Sequence, residues 1–136
     1  VTAGLDPAAQ LLALFNGLGA VGQINAIGTV TGTGTQVLPD PTTAPVSTVT
    51  LSTSGQVPFA FPQPSAGKRF RLQLIQDSTG SRTASFVTSG LTGGGAIQWV
   101  GHTAPTLTTT GARSDIITGE CFDGVNWVAS TQLNVG

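Results

Sequence analysis

Charge is what this sequence has least of. Lys and Arg number five and Asp and Glu six, so 8% of the 136 residues are charged, against roughly 25% in ordinary soluble domains. The formal balance of −1 argues against a nucleic-acid partner, because affinity for a polyanion rests on many cations displacing counterions. Cys and His occur once each, too few for a zinc site of the usual ligands, and a lone Cys has no partner for an internal disulfide. Met and Tyr are absent. Long apolar runs are missing too. The longest, Leu11–Phe15, is far short of the roughly 20 residues of a membrane-spanning helix, so no membrane insertion is expected. No Lys or Arg precedes Lys68, which leaves no basic n-region for a secretory signal.

What is present is small and hydroxyl-bearing: 19 Gly, 8 Pro, 21 Thr and 10 Ser. A hydrophobic fraction of 39% separates the chain from disordered ones, which combine low hydrophobicity with high net charge. The length suits one folded unit. Hydroxyls and exposed amides would keep such a surface soluble, and it would meet copies of itself without charge repulsion.

Charge is also unevenly placed. Residues 1–67 hold only Asp6 and Asp40, and all five basic residues lie between Lys68 and Arg113. The stretch LDPAAQLLALFNGLG reads as a short N-terminal helix. Asp6 caps it, Pro7 takes the first helical position, and Leu11, Leu12, Leu14, Phe15 and Leu18 form an apolar stripe stopped by Gly17 and Gly19. Together with Val21, Ile24 and Ile27 these residues exceed the needs of a small β core. They are candidate contacts to a shell or a neighbouring subunit, or a cover for one end of the chain's own β domain. Residues 1–45 are expected to be this helix and an extended arm, and residues 46–136 an antiparallel β domain.

Six of the eight prolines fall between Pro39 and Pro64, a density that forbids helix and favours extended paths. From Val46 onward the hydrophobic period is two. It is clearest in Arg69–Gln76, where Phe70, Leu72 and Leu74 alternate with Arg69, Arg71 and Gln73. Further strands are expected at Val46–Thr53, Val57–Phe61, Thr83–Thr88, Ala96–Val100, Thr106–Thr110, Asp115–Phe122 and Val125–Leu133, the last two joined by an Asp123-Gly124 turn. The Thr-rich stretches share no fixed period, which argues against a solenoid. The expected fold is all-β, an antiparallel sandwich or jelly roll.

Chemistry is hard to place. Asp77 and Asp123 precede turn glycines, Asp115 begins a strand and Glu120 alternates outward, so each acid has a structural role that outweighs paired acid–base work. His102 stands in a loop without a nucleophile motif around it, and Cys121 lies in an apolar strand as a small hydrophobe. The glycines at 92–95 lack the Lys and the helix of a phosphate loop. Trp99 and Trp127 are in phase with apolar neighbours and read as core, with a sugar-stacking role as the alternative. No catalytic residue, metal or cofactor is expected.

GKRFRLQLIQDSTGSRTASF, AIQWVGHTAPTLTTT and SDIITGECFDGVNW, in that order, resemble a module found in virion proteins of tailed bacteriophages. The matching positions are Gln76-Asp77, Gly80, Arg82-Thr83, Phe86, Trp99, Ala104-Pro105-Thr106-Leu107, Asp115 and Gly124-Val125-Asn126-Trp127. The resemblance covers a little under half of the chain and does not extend to residues 1–45. It implies a β-rich, non-enzymatic structural protein, commonly a homotrimer, displayed on the virion surface after assembly in the bacterial host cytoplasm. Its partners would be itself and the major capsid protein or another virion protein, as a head decoration or head fibre. The alternative is a tail-fibre module that holds host glycan through Trp99 or Trp127.

Overall fold

The computed structural model describes residues 24–136. Nine strands follow in chain order: β1 (Ile24–Val30), β2 (Gln36–Val37), β3 (Val46–Leu51), β4 (Val57–Ala60), β5 (Arg69–Gln76), β6 (Ala84–Val87), β7 (Ile97–Trp99), β8 (Ser114–Cys121) and β9 (Trp127–Val135). The described residues are all-β. The expected N-terminal helix, with Leu11, Leu12, Leu14, Phe15, Leu18 and Val21, lies outside them.

The first six strands alternate between two sheets. β1, β3 and β5 lie in a six-stranded sheet of order β1-β3-β5-β8-β9-β7, and β2, β4 and β6 form a three-stranded sheet in that order. Each connection carries the chain to the opposite sheet, so strands that return to the same sheet run in the same direction. The four pairings among β1–β6 are therefore parallel, β7–β9 is parallel as well, and only β5–β8 and β8–β9 are antiparallel. This corrects the antiparallel expectation. Jelly-roll connectivity, which joins antiparallel strands, is not what links these sheets.

The path is a winding of three turns, the architecture that the missing repeat argued against. Ile24 lies opposite Val46, 22 positions on, and Val46 opposite Arg71, 25 positions on. Unequal loops between paired strands erase any sequence period while leaving the ladders in register. The prolines mark corners: Pro39, Pro41 and Pro45 lie between β2 and β3, and Pro62 and Pro64 between β4 and β5. Pro58 sits within β4, the middle strand of its sheet, where a missing N–H is ordinarily costly. The ladder from β2 engages only Phe59 and Ala60, so Pro58 interrupts no bond on that side.

Residues 24–45 are not a free arm. They supply an edge strand to each sheet, and Val30 and Leu38 are buried in the common core. The C-terminal half then closes the six-stranded sheet with the β8–β9 hairpin, whose loop runs from Phe122 to Asn126 between the paired Cys121 and Trp127. That loop is longer than a two-residue turn, because the Asp123 carboxylate accepts from the Val125 and Asn126 amides at 2.8 and 2.7 Å. Gly124 takes the left-handed conformation within it (φ 82°).

The two sheets enclose one core. In β5, Phe70, Leu72, Leu74 and Gln76 are buried while Arg69 and Arg71 are exposed, as the period of two requires. Phe61 is the hub of an aromatic cluster that bridges the layers. Its ring centroid lies 4.8 Å from Phe70, 6.3 Å from Trp127 and 5.8 Å from Phe86, nearly edge-on to the first two, a geometry that adds quadrupole attraction to buried area. Gly119 in β8 leaves room for this packing, since a Cβ there would overlap the Phe70 ring.

Candidate functional site

Part of the set that carries the module resemblance, Gln76-Asp77, Gly80, Arg82, the 105–107 segment and Asp115, meets at one end of the six-stranded sheet, whereas Gly124–Trp127 lie at its other end and Phe86 in the three-stranded sheet. β5 delivers Gln76 to the buried face, in phase with Phe70, Leu72 and Leu74. A buried amide must find partners, and this one finds three. Its Nε2 donates to the carbonyls of Arg82 and Thr108, and its Oε1 accepts from the Arg82 amide, all at 2.9 Å. The next residue, Asp77, turns the chain. Its carboxylate accepts from the Gly80 amide at 2.9 Å, from Ser52 Oγ at 3.0 Å and from both Nε and Nη2 of Arg82, the latter at 2.8 Å.

Loop 105–112 is drawn onto the same turn. A Cβ at Gly80 would come within 2.5 Å of the Thr109 carbonyl, and one at Gly111 within 2.4 Å of the Ser78 carbonyl. Both glycines thus permit backbone to lie against backbone. Asp115, 2% exposed, completes the clasp from β8 by accepting from the amides of Thr108 at 2.7 Å and Asn134 at 2.9 Å. Thr106–Thr110, expected as a strand, is therefore loop. Its backbone groups are spent on the side chains of Gln76 and Asp115 and on the turn at Ser81.

Three of the four acids weighed for catalysis, Asp77, Asp115 and Asp123, are thus held in structural hydrogen bonds. Arg82 first of all, then Gly80 and Ser52, pull Asp77 from 3.8 down to about 2. Lys68 and Thr42 do the same for Asp40, as do the Asn126 and Val125 amides for Asp123. Folded-state values below the unfolded ones mean that these carboxylates stabilise the fold above about pH 4 and lose that contribution as pH falls towards 2. The urea midpoint should accordingly hold near neutrality and fall across this acid window. Arg82→Gln should flatten the fall, and an unchanged profile in that variant would remove Asp77–Arg82 as a source. Glu120 points to the outer face of the sheet while Cys121 is buried. His102 is exposed at a left-handed loop position (φ 66°), its amide bonded to the Trp99 carbonyl at 2.9 Å.

Trp127 is fully buried, and its Nε1 donates to the Pro62 carbonyl at 2.7 Å, which removes it from any sugar-stacking role. Trp99 is half-buried, 5.3 Å from Phe86 and 6.3 Å from Phe61. One edge borders a shallow hollow of about 270 Å³ with Val100, Thr103 and Pro105. Of the candidate contact residues among those described, Ile27 packs against the core and Ile24 is 63% exposed.

Sequence reasoning missed the buried role of Gln76. The signal was available: a polar residue in phase with three apolar ones on an inward face must be hydrogen-bonded. It also left unremarked the exposed Phe122 (70%), Val100 (68%) and Val37 (73%), whose apolar character suggests the interior although each neighbours an inward residue. Comparison of the chain with family models, with curated proteins and with solved structures finds no significant match.

Proposed function

We propose that this chain is a non-enzymatic structural protein of a tailed-bacteriophage virion, a homotrimeric decoration or head fibre bound to the outside of the capsid shell. The observation that carries the reading is the fate of the motif itself. Gln76, Asp77, Gly80, Arg82 and Asp115, five of the residues by which the sequence resembles a virion module, hold two loops and a sheet end together. A motif spent on rigidity suits a building block. Sparse charge supports the same reading, since copies meeting around a symmetry axis bring like charges together. The open end of the winding offers exposed apolar side chains, Ile24 and Val37, on the edge strands of the two sheets. We assign these to contact with a neighbouring copy or with the major capsid protein, an edge being a ready template for another chain.

Light scattering of the purified chain should give three times the 13.7 kDa chain mass. Antibody-labelled native particles should carry the protein in hundreds of copies over the head. A monomer in solution, or a handful of copies confined to the tail, would sink the decoration reading.

A further inference from the structure

The six-stranded sheet ends in two edges. One is β1. The other is shared by β7 and β9, because the three-residue β7 covers only Trp127–Ala129 of its neighbour. Among the described residues no strand lies beside Ser130–Val135 on that side. The Ala129 carbonyl accepts from the Val100 amide there, so Thr131, two residues on, turns its backbone N–H and C=O to the empty side. After Val100 the chain leaves the sheet through Gly101 and His102, both left-handed.

The two edges stand at the same level. Ladder partners carry Ile24 across to Ser130 through Val46, Arg71 and Thr118, and Thr29 to Val135 through Thr50, Ile75 and Ser114. Between these rows, Ala26 reaches Gln132 through Thr48, Gln73 and Ile116. The edges also run in the same direction. β1, β3 and β5 are parallel, and two antiparallel steps through β8 return β9 to the direction of β1.

Both edges carry the same irregularity. Ala26 and Thr29 are three residues apart, as are Gln132 and Val135, whereas the strands between them span the same interval in two. Gly28 in one bulge and Asn134 in the other take the left-handed conformation (φ 86° and 59°). A bulge puts an edge strand out of step with a regular neighbour. Two strands bulged alike at one level stay in step with each other.

We propose that β1 of a second copy pairs in parallel with Ser130–Val135 of β9, in line with β7, setting Ile24 beside Ser130, Ala26 beside Gln132 and Thr29 beside Val135. Rotation about an axis along the strands preserves level and direction, so it brings one copy's β1 to the next copy's β9 without a shift. The contact is head-to-tail and closes into a ring. It deepens the trimer reading above and rests on it for the number of copies. No ionised side chain stands in Ile24–Val30 or Ser130–Val135 to oppose it. Ile24, Leu133 and Val135, three of the seven large apolar side chains exposed among the described residues, lie on the paired segments. A hollow of about 270 Å³ bordered by Val100, Thr131 and Leu133 lies along the receiving edge.

The size of the contact favours a ring over a pair. Seven residues at about 3.3 Å make an edge about 23 Å long, and with a layer about 10 Å thick one contact covers roughly 230 Å² of each copy. A standard stable interface takes about 800 Å² from each partner, so a single contact makes a weak pair. In a closed ring no copy leaves without opening two contacts.

Cysteine cross-linking tests the register. Ala26 and Gln132 are exposed, and neighbouring strands about 4.8 Å apart are within reach of a disulfide. The full chain carrying Ala26→Cys and Gln132→Cys should give covalent trimers on mild oxidation. Each single variant should remain as separate chains, and a mixture of the two should give dimers. The native Cys121 is buried and should not take part. Ala26→Lys with Gln132→Lys should turn the trimer into a monomer in light scattering with unchanged circular dichroism, and Ala26→Lys with Gln132→Glu should restore it. A trimer that gives no cross-link, or that survives the lysine pair, overturns this contact and leaves the trimer reading standing. Cross-links that end at another number of copies keep the contact and overturn the count of three. A monomer without cross-links overturns both, and dimers from Ala26→Cys alone would place β1 against its own copy and overturn the head-to-tail contact.

Discussion

Trp127→Ala is expected to remove about 3–5 kcal/mol from the unfolding free energy, the range for emptying a buried aromatic site. Trp127 has no exposed surface, and its ring touches both Phe61 and Phe70, the contact through which the two sheets share a core. Its neighbours are held by their own ladders and collapse little into the void, which puts the loss towards the upper end. Against a typical domain stability of about 5–15 kcal/mol, the variant should be marginally folded, with an early urea midpoint. Trp127→Phe keeps most of the apolar contact but strips the donor from the buried Pro62 carbonyl, at a cost of about 1–3 kcal/mol. Equilibrium urea unfolding of both variants checks the pair. If the alanine variant loses less than the phenylalanine one, burial is not what Trp127 contributes.

Asp115→Ala should cost about 3 kcal/mol, with a different local signature. Hydrogen bonds to a charged acceptor contribute about 1.5–3 kcal/mol each, and Asp115 accepts two from backbone amides of separate segments. The ionised group's own desolvation offsets part of that sum. Asp115→Asn retains one acceptor oxygen but turns its NH2 towards the other backbone N–H, so it should lose nearly as much. Amide hydrogen exchange distinguishes this mechanism from loss of core packing. In Asp115→Ala the amides of Thr108 and Asn134 should exchange faster than those of β5, whereas Trp127→Ala should accelerate exchange throughout the sheet. Uniform acceleration in the aspartate variant would show that the carboxylate does not pin the loop.

The two substitutions probe different layers of one arrangement. Hydrophobic area between the sheets supplies most of the stability, and buried polar groups decide where the long loop lies. Both Gln76 and Asp115 reach Thr108, the one at its carbonyl and the other at its amide. Loop 105–112 therefore has one resting place, against the turn at Asp77–Gly80, where only glycine at positions 80 and 111 leaves room. Rigidity of this kind suits the particle component proposed above, and it occupies Asp77, Asp115 and Gln76 in structural hydrogen bonds.

Strand content was legible residue by residue wherever side chains alternate. Arg69–Gln76 is the strand its period predicts, and Val46–Leu51, Val57–Ala60, Ala84–Val87, Ile97–Trp99, Ser114–Cys121 and Trp127–Val135 lie within two residues or so of expectation. β1 was hidden because its register shifts between Ala26 and Gly28, and a bulge breaks the alternation that would announce a strand. β2 is two residues long, too short to show any period. Thr106–Thr110 has strand-forming residues, but side chains from elsewhere capture its backbone groups.

The scarcity of charge, the period of two, the proline-marked corners and the inward phase of Trp127 are properties of side chains, and the sequence alone determined them. Which strand lies beside which, and in which direction, was decided only by the tertiary structure. Ladder bonds are made by backbone groups common to every residue, so parallel and antiparallel neighbours leave nearly the same side-chain pattern. A winding with unequal loops leaves no repeat to betray itself. The low charge met first now has a location among the described residues: Asp40 with Lys68, Asp77 with Arg82, Asp115 and Asp123 clasp turns and loops, while Arg69, Arg71 and Glu120 lie on the outer face of the six-stranded sheet.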